Sequence, residues 1–227
     1  MARQVIDVLE GRPPRYPVNV AAVSSKEMDF LRSYLDLARR MGCFYGQLVK
    51  DNLMRFEMTY AGEVGEHDTT LITTSALAGL LSQAGQTPVN LVNARLAAQE
   101  RGLAVSERHA SKAEGFSNLI TLRARTTSGE HLLCGTIIRG QPHIVRIDKC
   151  WLDFRAAGHL LVSEHVEQAG VIGQMGTVLG DAGVNISFVE VGREEIGGYG
   201  IMVVGADGPI SDDTLTQIMR MSSIRSA

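Results

Sequence analysis

The sequence predicts an α+β protein built as two domains. Residues 26–101 carry apolar side chains mostly at helical spacing, broken by one alternating stretch. From Leu103 the period falls to two. From His159 the pattern returns as strand, helix, strand, strand, helix, which one more strand would complete as a βαββαβ unit. The first domain therefore reads as helices plus a mainly antiparallel sheet, and the second as βαββαβ. A chain of 227 residues accommodates both.

Residues 2–10 place Val5, Ile6 and Leu9 on one side of a short helix, too short to be stable without a partner. Pro13, Pro14 and Pro17 then force an extended linker. Ser25 is the expected N-cap of a helix over 26–41, with Met28, Leu31, Leu35 and Ala38 on one face. Gly42 is a possible stop, while Phe44, Tyr45 and Leu48 would carry the helix on to Val49. Residues 53–60 alternate as a strand, and 61–65 read as a loop. Asp68 or Thr69 is placed to cap a Leu- and Ala-rich helix over about 70–84. A third helix is expected over 91–101, closed by Gly102. Five short strands follow at 103–106, 119–125, 131–138, 143–148 and 151–155, with turns at Gly129 and Gly140.

In the second domain, 160–162 open a strand and 167–170 a polar turn. Val171, Met175, Val178, Leu179 and Ala182 then form one helical stripe, with Gly183 suited to the left-handed position after it. Strands are expected at 184–191 and 199–204, joined by a turn at Gly197-Gly198. A helix with Leu215, Ile218 and Met219 inward should occupy about 211–221. Only residues 224–227 are left for the sixth element, so the last strand is expected to be truncated. Gly170, Gly173, Gly176 and Gly180 recur at helical spacing, which predicts a face that another element approaches closely.

Composition narrows the function. The net charge of −3 and the absence of a basic tail give no electrostatic reason for a nucleic-acid partner. No apolar run reaches the roughly 18 residues of a membrane span, and Asp7 and Glu10 interrupt any signal-peptide core. Neither a nucleic-acid nor a membrane partner is expected. Cys43, Cys134 and Cys150 are odd in number and widely spaced, and read as buried, reduced thiols of a cytoplasmic protein. The six histidines lack ligand spacing, so no metal is expected. No G-x-G-x-x-G turn, P-loop, G-x-S-x-G elbow or H-E-x-x-H helix is present, and no catalytic residue is nominated.

The run G-V-I-G-x-x-G-T-x-L-G-x-A-G-V-N-I, beginning at Gly170, resembles an ACT domain, a ferredoxin-like amino-acid-sensing module. It is most similar to the C-terminal regulatory domain of the D-3-phosphoglycerate dehydrogenase family. V-I-D-V-L-x-G-x-P-P-x-Y-P-V-N, beginning at Val5, resembles the junction that follows that family's catalytic half. The resemblance covers essentially the whole chain. It implies a remnant helix and Pro-rich linker at 1–18, an intervening, allosteric-substrate-binding-like domain at 19–156 and an ACT domain at 157–227. It implies a regulatory and oligomerisation role in L-serine synthesis, with NAD and the chemistry residing in a catalytic domain that this chain lacks. Whether the chain itself takes part in catalysis is left open. The implied partners are L-serine or another small amino acid, that catalytic domain, and further copies of the chain, paired as a dimer or tetramer through both domains. Two other readings stand beside this one. One is a free-standing ACT-type amino-acid-binding protein; the other is the regulatory part of an iron–sulfur L-serine dehydratase, against which the proline-rich junction and the cysteine spacing argue.

An amino acid is a zwitterion, and the turn before the second domain's first helix offers what it needs. Glu167 supplies a carboxylate for the ammonium group. The helix opening at Val171 and Ile172 supplies free N–H groups and a favourable dipole for the carboxylate. Asn185 offers both donor and acceptor. In relatives of the resembled family, serine sits between two ACT domains; the positions that correspond are His165, Glu167 and Asn185, the asparagine coming from the second copy. Purely structural roles are also open: Glu167 as a helix cap, His165 as an edge-strand residue and Asn185 as the brace of its own loop. The chain departs from the family's Asp-Arg-Pro-Gly turn, having Glu167-Gln168-Ala169-Gly170, which moves the carboxylate by about 1.5 Å and restores an N–H. A second candidate is an anion site in the first domain, formed by Arg123, Arg125, Lys149 and Arg155. Arg155 matches a basic position of the resembled family, and the alternative is a solvated strand face.

Overall fold

The computed structural model describes residues 25–48, 51–82 and 89–227. The expected helix over 2–10, the proline-rich linker, Val49 and the end of the helix expected to reach residue 84 lie outside the described residues. The fold is α+β, with two mostly antiparallel sheets. The chain forms two compact units. One holds the described residues up to His131 together with Gly135–Pro142; the other holds Leu132–Cys134 with His143–Ala227.

In the first unit α1 spans Ser25–Leu48 and β1 spans Leu53–Gly62. The side chains of Leu31, Tyr34, Leu37, Ala38, Met41 and Tyr45 are buried along α1. Gly42 does not end the helix. It sits where α1 crosses α2 (Thr70–Leu81): a Cβ on Gly42 would lie 2.0 Å from the Ala76 carbonyl oxygen, and one on Gly79 would lie 2.1 Å from that of Arg39. α2 is buried almost all round, as an apolar helix without a polar face must be. Of its two candidate caps, Asp68 accepts the Thr70 N–H at 2.9 Å, while the Thr69 hydroxyl donates to Glu107 instead.

The third helix, α3, is shorter than expected, Ala94–Glu100. Asparagine side chains explain its late start. Asn93 accepts the Asn90 N–H, and Asn90 accepts the Val92 N–H, both at 2.8 Å, which diverts these groups into a turn. Beyond it lie β2 (Ala104–Ala110), β3 (Asn118–Thr126) and β4 (Glu130–Ile138), in the spatial order β2-β1-β3-β4. β1 and β3 are antiparallel, but β1 and β2 are parallel. The two helices between β1 and β2 provide the crossover that a parallel pair requires.

The second unit contains β5 (Gln141–Ile147) from His143 onward, and its hairpin partner β6 (Cys150–Arg155). It continues with β7 (His159–Val166), α4 (Val171–Asp181), β8 (Ile186–Arg193), β9 (Tyr199–Ala206), α5 (Asp212–Met219) and β10 (Ile224–Ser226). The order is therefore βαββαβ, and the strands lie as β10-β7-β9-β8, all antiparallel to their neighbours. The last strand is short but present: Ile224 pairs with His165 and is buried in the core. That core joins Leu161 of β7, Met202 and Val204 of β9, Val171, Met175 and Leu179 of α4, and Ile218 of α5. Gly183 has the left-handed φ of +73° foreseen for it, and α5 starts on Ser211, whose hydroxyl accepts the Thr214 N–H at 3.2 Å.

Among the described residues of one chain, nothing packs closely against the glycine face of α4. A Cβ on Gly173, Gly176 or Gly180 would meet no described atom within 4 Å, because the apolar stripe turns the opposite face to the sheet. Cys134 and Cys150 are buried free thiols as expected, whereas Cys43 is partly exposed. Among the described residues no helix is long and apolar enough to cross a membrane.

Candidate functional site

Four of the five residues nominated for an amino-acid site come together at the end of β7. Along this strand Leu161, Ser163 and His165 alternate onto the covered face. His165 is only 3% exposed, and its Nδ1 has no protein hydrogen-bond partner. Burial holds its pKa below the usual imidazole value, the nearby Glu167 carboxylate acting in the other direction. Directly across the ladder stands Gly200 of β9. A Cβ there would lie 2.9 Å from Cε1 and 3.0 Å from Nε2 of the imidazole.

Glu167 follows the strand and is fastened to the β8–β9 connection at three points. Its own N–H donates to the Gly198 carbonyl at 2.9 Å. Its Oε2 accepts the Gly197 N–H at 2.7 Å, and its Oε1 accepts from the Arg193 guanidinium. The Gly197 N–H and then Arg193 hold the carboxyl below its ordinary pKa, so it is a carboxylate at neutral pH. Gly170, at φ +93°, turns the chain into α4. The first helical bond runs from Gln174 N–H to the Gly170 carbonyl, which leaves the N–H groups of Val171, Ile172 and Gly173 at the open end of the helix. Val171 is buried and Ile172 is 54% exposed.

These groups surround an open pocket of about 400 Å³, lined by His165, Glu167, Val171 and Ile172 with Val191 and Ile196 on its apolar wall. It combines a carboxylate, a helix N-terminus and an imidazole within an apolar rim. That is a donor and acceptor set for a small zwitterion. Asn185 is not part of it within one chain. It precedes Ile186, which aligns with Ala206 and, through it, with His159, whereas His165 aligns with Gly200 and Arg193 at the other end of the sheet. The strand rise separates the two by roughly 20 Å. The Asn185 amide donates to Asp207 at 2.5 Å.

The sequence did not nominate Arg193, Ile196 or Gly200. Gly200 had one available signal, since a glycine inside a strand often marks a close approach. Arg193 had none, because the ladder alone brings it to Glu167 from 26 residues away.

The basic set is distributed. Arg123 and Arg125 are exposed on the same face of β3, in the first unit, and Arg123 pairs with Glu130 at 2.5 Å. Lys149 and Arg155 are in the second unit, at opposite ends of one hairpin: Lys149 occupies its turn and pairs with Glu194 at 2.5 Å, while Arg155 aligns with His143. Strand rise keeps these two about 17 Å apart. Nor do the glycines around α4 fit a dinucleotide. Gly173, Gly176 and Gly180 lie inside the helix, where their amides form no pyrophosphate turn.

Comparison with known sequences gives the family. Residues 30–148, just over half of the chain, match the profile of the D-3-phosphoglycerate dehydrogenase intervening domain. The chain belongs to the D-3-phosphoglycerate dehydrogenase family. It is 34% identical to the D-3-phosphoglycerate dehydrogenase of Synechocystis sp., over 100% of this chain and 41% of that protein. It is 31% identical to that of Methanocaldococcus jannaschii and 30% to that of Bacillus subtilis, in each case over 99% of this chain and 43% of the relative. The chain thus spans about two fifths of the length of these dehydrogenases and corresponds to their C-terminal part.

Proposed function

We propose that this chain is the regulatory and subunit-pairing portion of a D-3-phosphoglycerate dehydrogenase acting in cytoplasmic L-serine synthesis. Residues 19–156 are its intervening domain and 157–227 its ACT domain. The pocket at the end of β7 binds L-serine between two copies. One observation carries this reading: His165, Glu167 and the open N-terminus of α4 meet in a single pocket. The ligand's carboxylate takes the Val171 and Ile172 N–H groups, and its ammonium group takes the free lone pairs of Glu167. Asn185 comes from the second copy. β8 is an edge strand that starts next to Asn185 and ends next to the pocket. Two β8 edges paired antiparallel would bring each Asn185 to the other copy's pocket.

Serine then stabilises the paired state, and pairing is coupled to the catalytic part by a free energy of about 1–3 kcal/mol, as is typical of allosteric proteins. NAD and the oxidation of 3-phosphoglycerate belong to that catalytic part. The test is calorimetric titration of the chain with L-serine, combined with sizing by light scattering. Heat of binding from a dimer, lost in Asn185→Ala with the dimer preserved, is the expected result. A well-folded dimer that gives no heat with serine would overturn the sensing role.

A further inference from the structure

We infer that Gly200 is a positioning residue for this site: its missing side chain creates the space in which the His165 imidazole is seated. The inference rests on reading the pocket as an amino-acid site. His165 and Gly200 are direct cross-strand partners, so their Cβ positions lie on one face, roughly 5 Å apart. The imidazole uses that space. Its Cε1 and Nε2 would stand only 2.9 and 3.0 Å from a Cβ at position 200, closer than such atoms normally approach. Backbone conformation is not the reason for the glycine, because Gly200 is not among the glycines with positive φ.

A second neighbour, the Gly192 carbonyl oxygen, stands 3.0 Å from the same point and is fixed by the β8–β9 ladder. The imidazole can turn about its side-chain bonds, whereas the carbonyl cannot, so an added methyl displaces the ring. A displaced ring moves the imidazole away from the position it now holds among the residues that line the pocket. Binding then falls without loss of the fold.

The experiment compares the 227-residue chain with Gly200→Ala by serine calorimetry and by ¹⁵N-resolved spectra of the imidazoles. In the variant the His165 ring signals should shift before any ligand is added, and Kd for serine should rise about tenfold, the effect of losing one hydrogen bond to a charged group. In a His165→Ala background, Gly200→Ala should change serine binding no further. Unchanged ring signals with unchanged affinity would overturn the inference. If Gly200→Ala does not fold, the double variant decides. Recovery to the stability of His165→Ala supports the steric conflict with the ring, and continued failure puts the conflict at Gly192 and overturns it. If the unaltered chain binds no serine, the functional reading falls, and the ring signals alone still test whether Gly200 seats His165.

Discussion

An imidazole on the covered face of β7 has lost most of its hydration, and its charged form suffers more than its neutral form. The folded pKa of His165 accordingly lies below the ordinary 6.5. As pH falls through 6.5 the unfolded chain takes up the proton first, so the folded state is stabilised fully above that value and progressively less below it. The depressed carboxyl of Glu167 acts in a separate, lower window, beginning near its ordinary 4.5. Thermal melts between about pH 5 and 8 should therefore show a decline setting in near 6.5. His165→Asn, which keeps a polar side chain but cannot titrate, should flatten that part of the curve and leave the lower window unchanged. A decline of the same size in His165→Asn would assign it to another group.

At the scale of elements, glycine means opposite things in two helices. At the α1–α2 crossing, a Cβ on Gly79 would meet the Arg39 carbonyl at 2.1 Å, and a backbone atom cannot step aside cheaply. Gly79→Ala should cost about 3 kcal/mol, seen as a lower urea midpoint with an unchanged slope. On α4, Gly176→Ala meets nothing within 4 Å and should gain about 0.5–1 kcal/mol from helix propensity and a less flexible unfolded chain. The contrast shows what the sequence could and could not convey. The stripes of α1 and α4 and the alternation of β3 were legible because the period encodes which face is covered. The close approaches were not, since a glycine records a missing side chain without recording what fills the space. The parallel pairing of β1 with β2 left no local trace, being set by a ladder between strands about 50 residues apart. The length of α3 was misread because a helical pattern does not show that Asn90 and Asn93 will capture its first amides.

At the scale of the whole molecule, the site divides in the same way. His165, Glu167, Val171 and Ile172 lie within eight residues of sequence and were found together. Arg193, Ile196 and Gly200 arrive on the β8–β9 hairpin; Gly200 carried the weak signal of a glycine inside a strand, whereas Arg193 could be recognised only once the ladder was known. The proposed site is complete only if a second copy docks along β8, and this edge has the surface for it. Val189 and Val191 align with the core residues Val204 and Met202, yet they are 37% and 39% exposed, because the core helices leave the edge strand half covered. Ile172 and Ile196 extend the same apolar region around the pocket mouth. A lysine at both valines should leave each copy folded, since neither side chain is fully buried. In the pair it would place like charges face to face along an edge that must lose its water to associate. Val189→Lys/Val191→Lys should therefore scatter light as a monomer or as an assembly of lower mass than the unaltered chain. Serine binding should weaken with it, since the partner's Asn185 is withdrawn and Val191 itself lines the pocket. Unchanged mass with unchanged serine affinity would move the pairing surface away from β8 and remove Asn185 from the site.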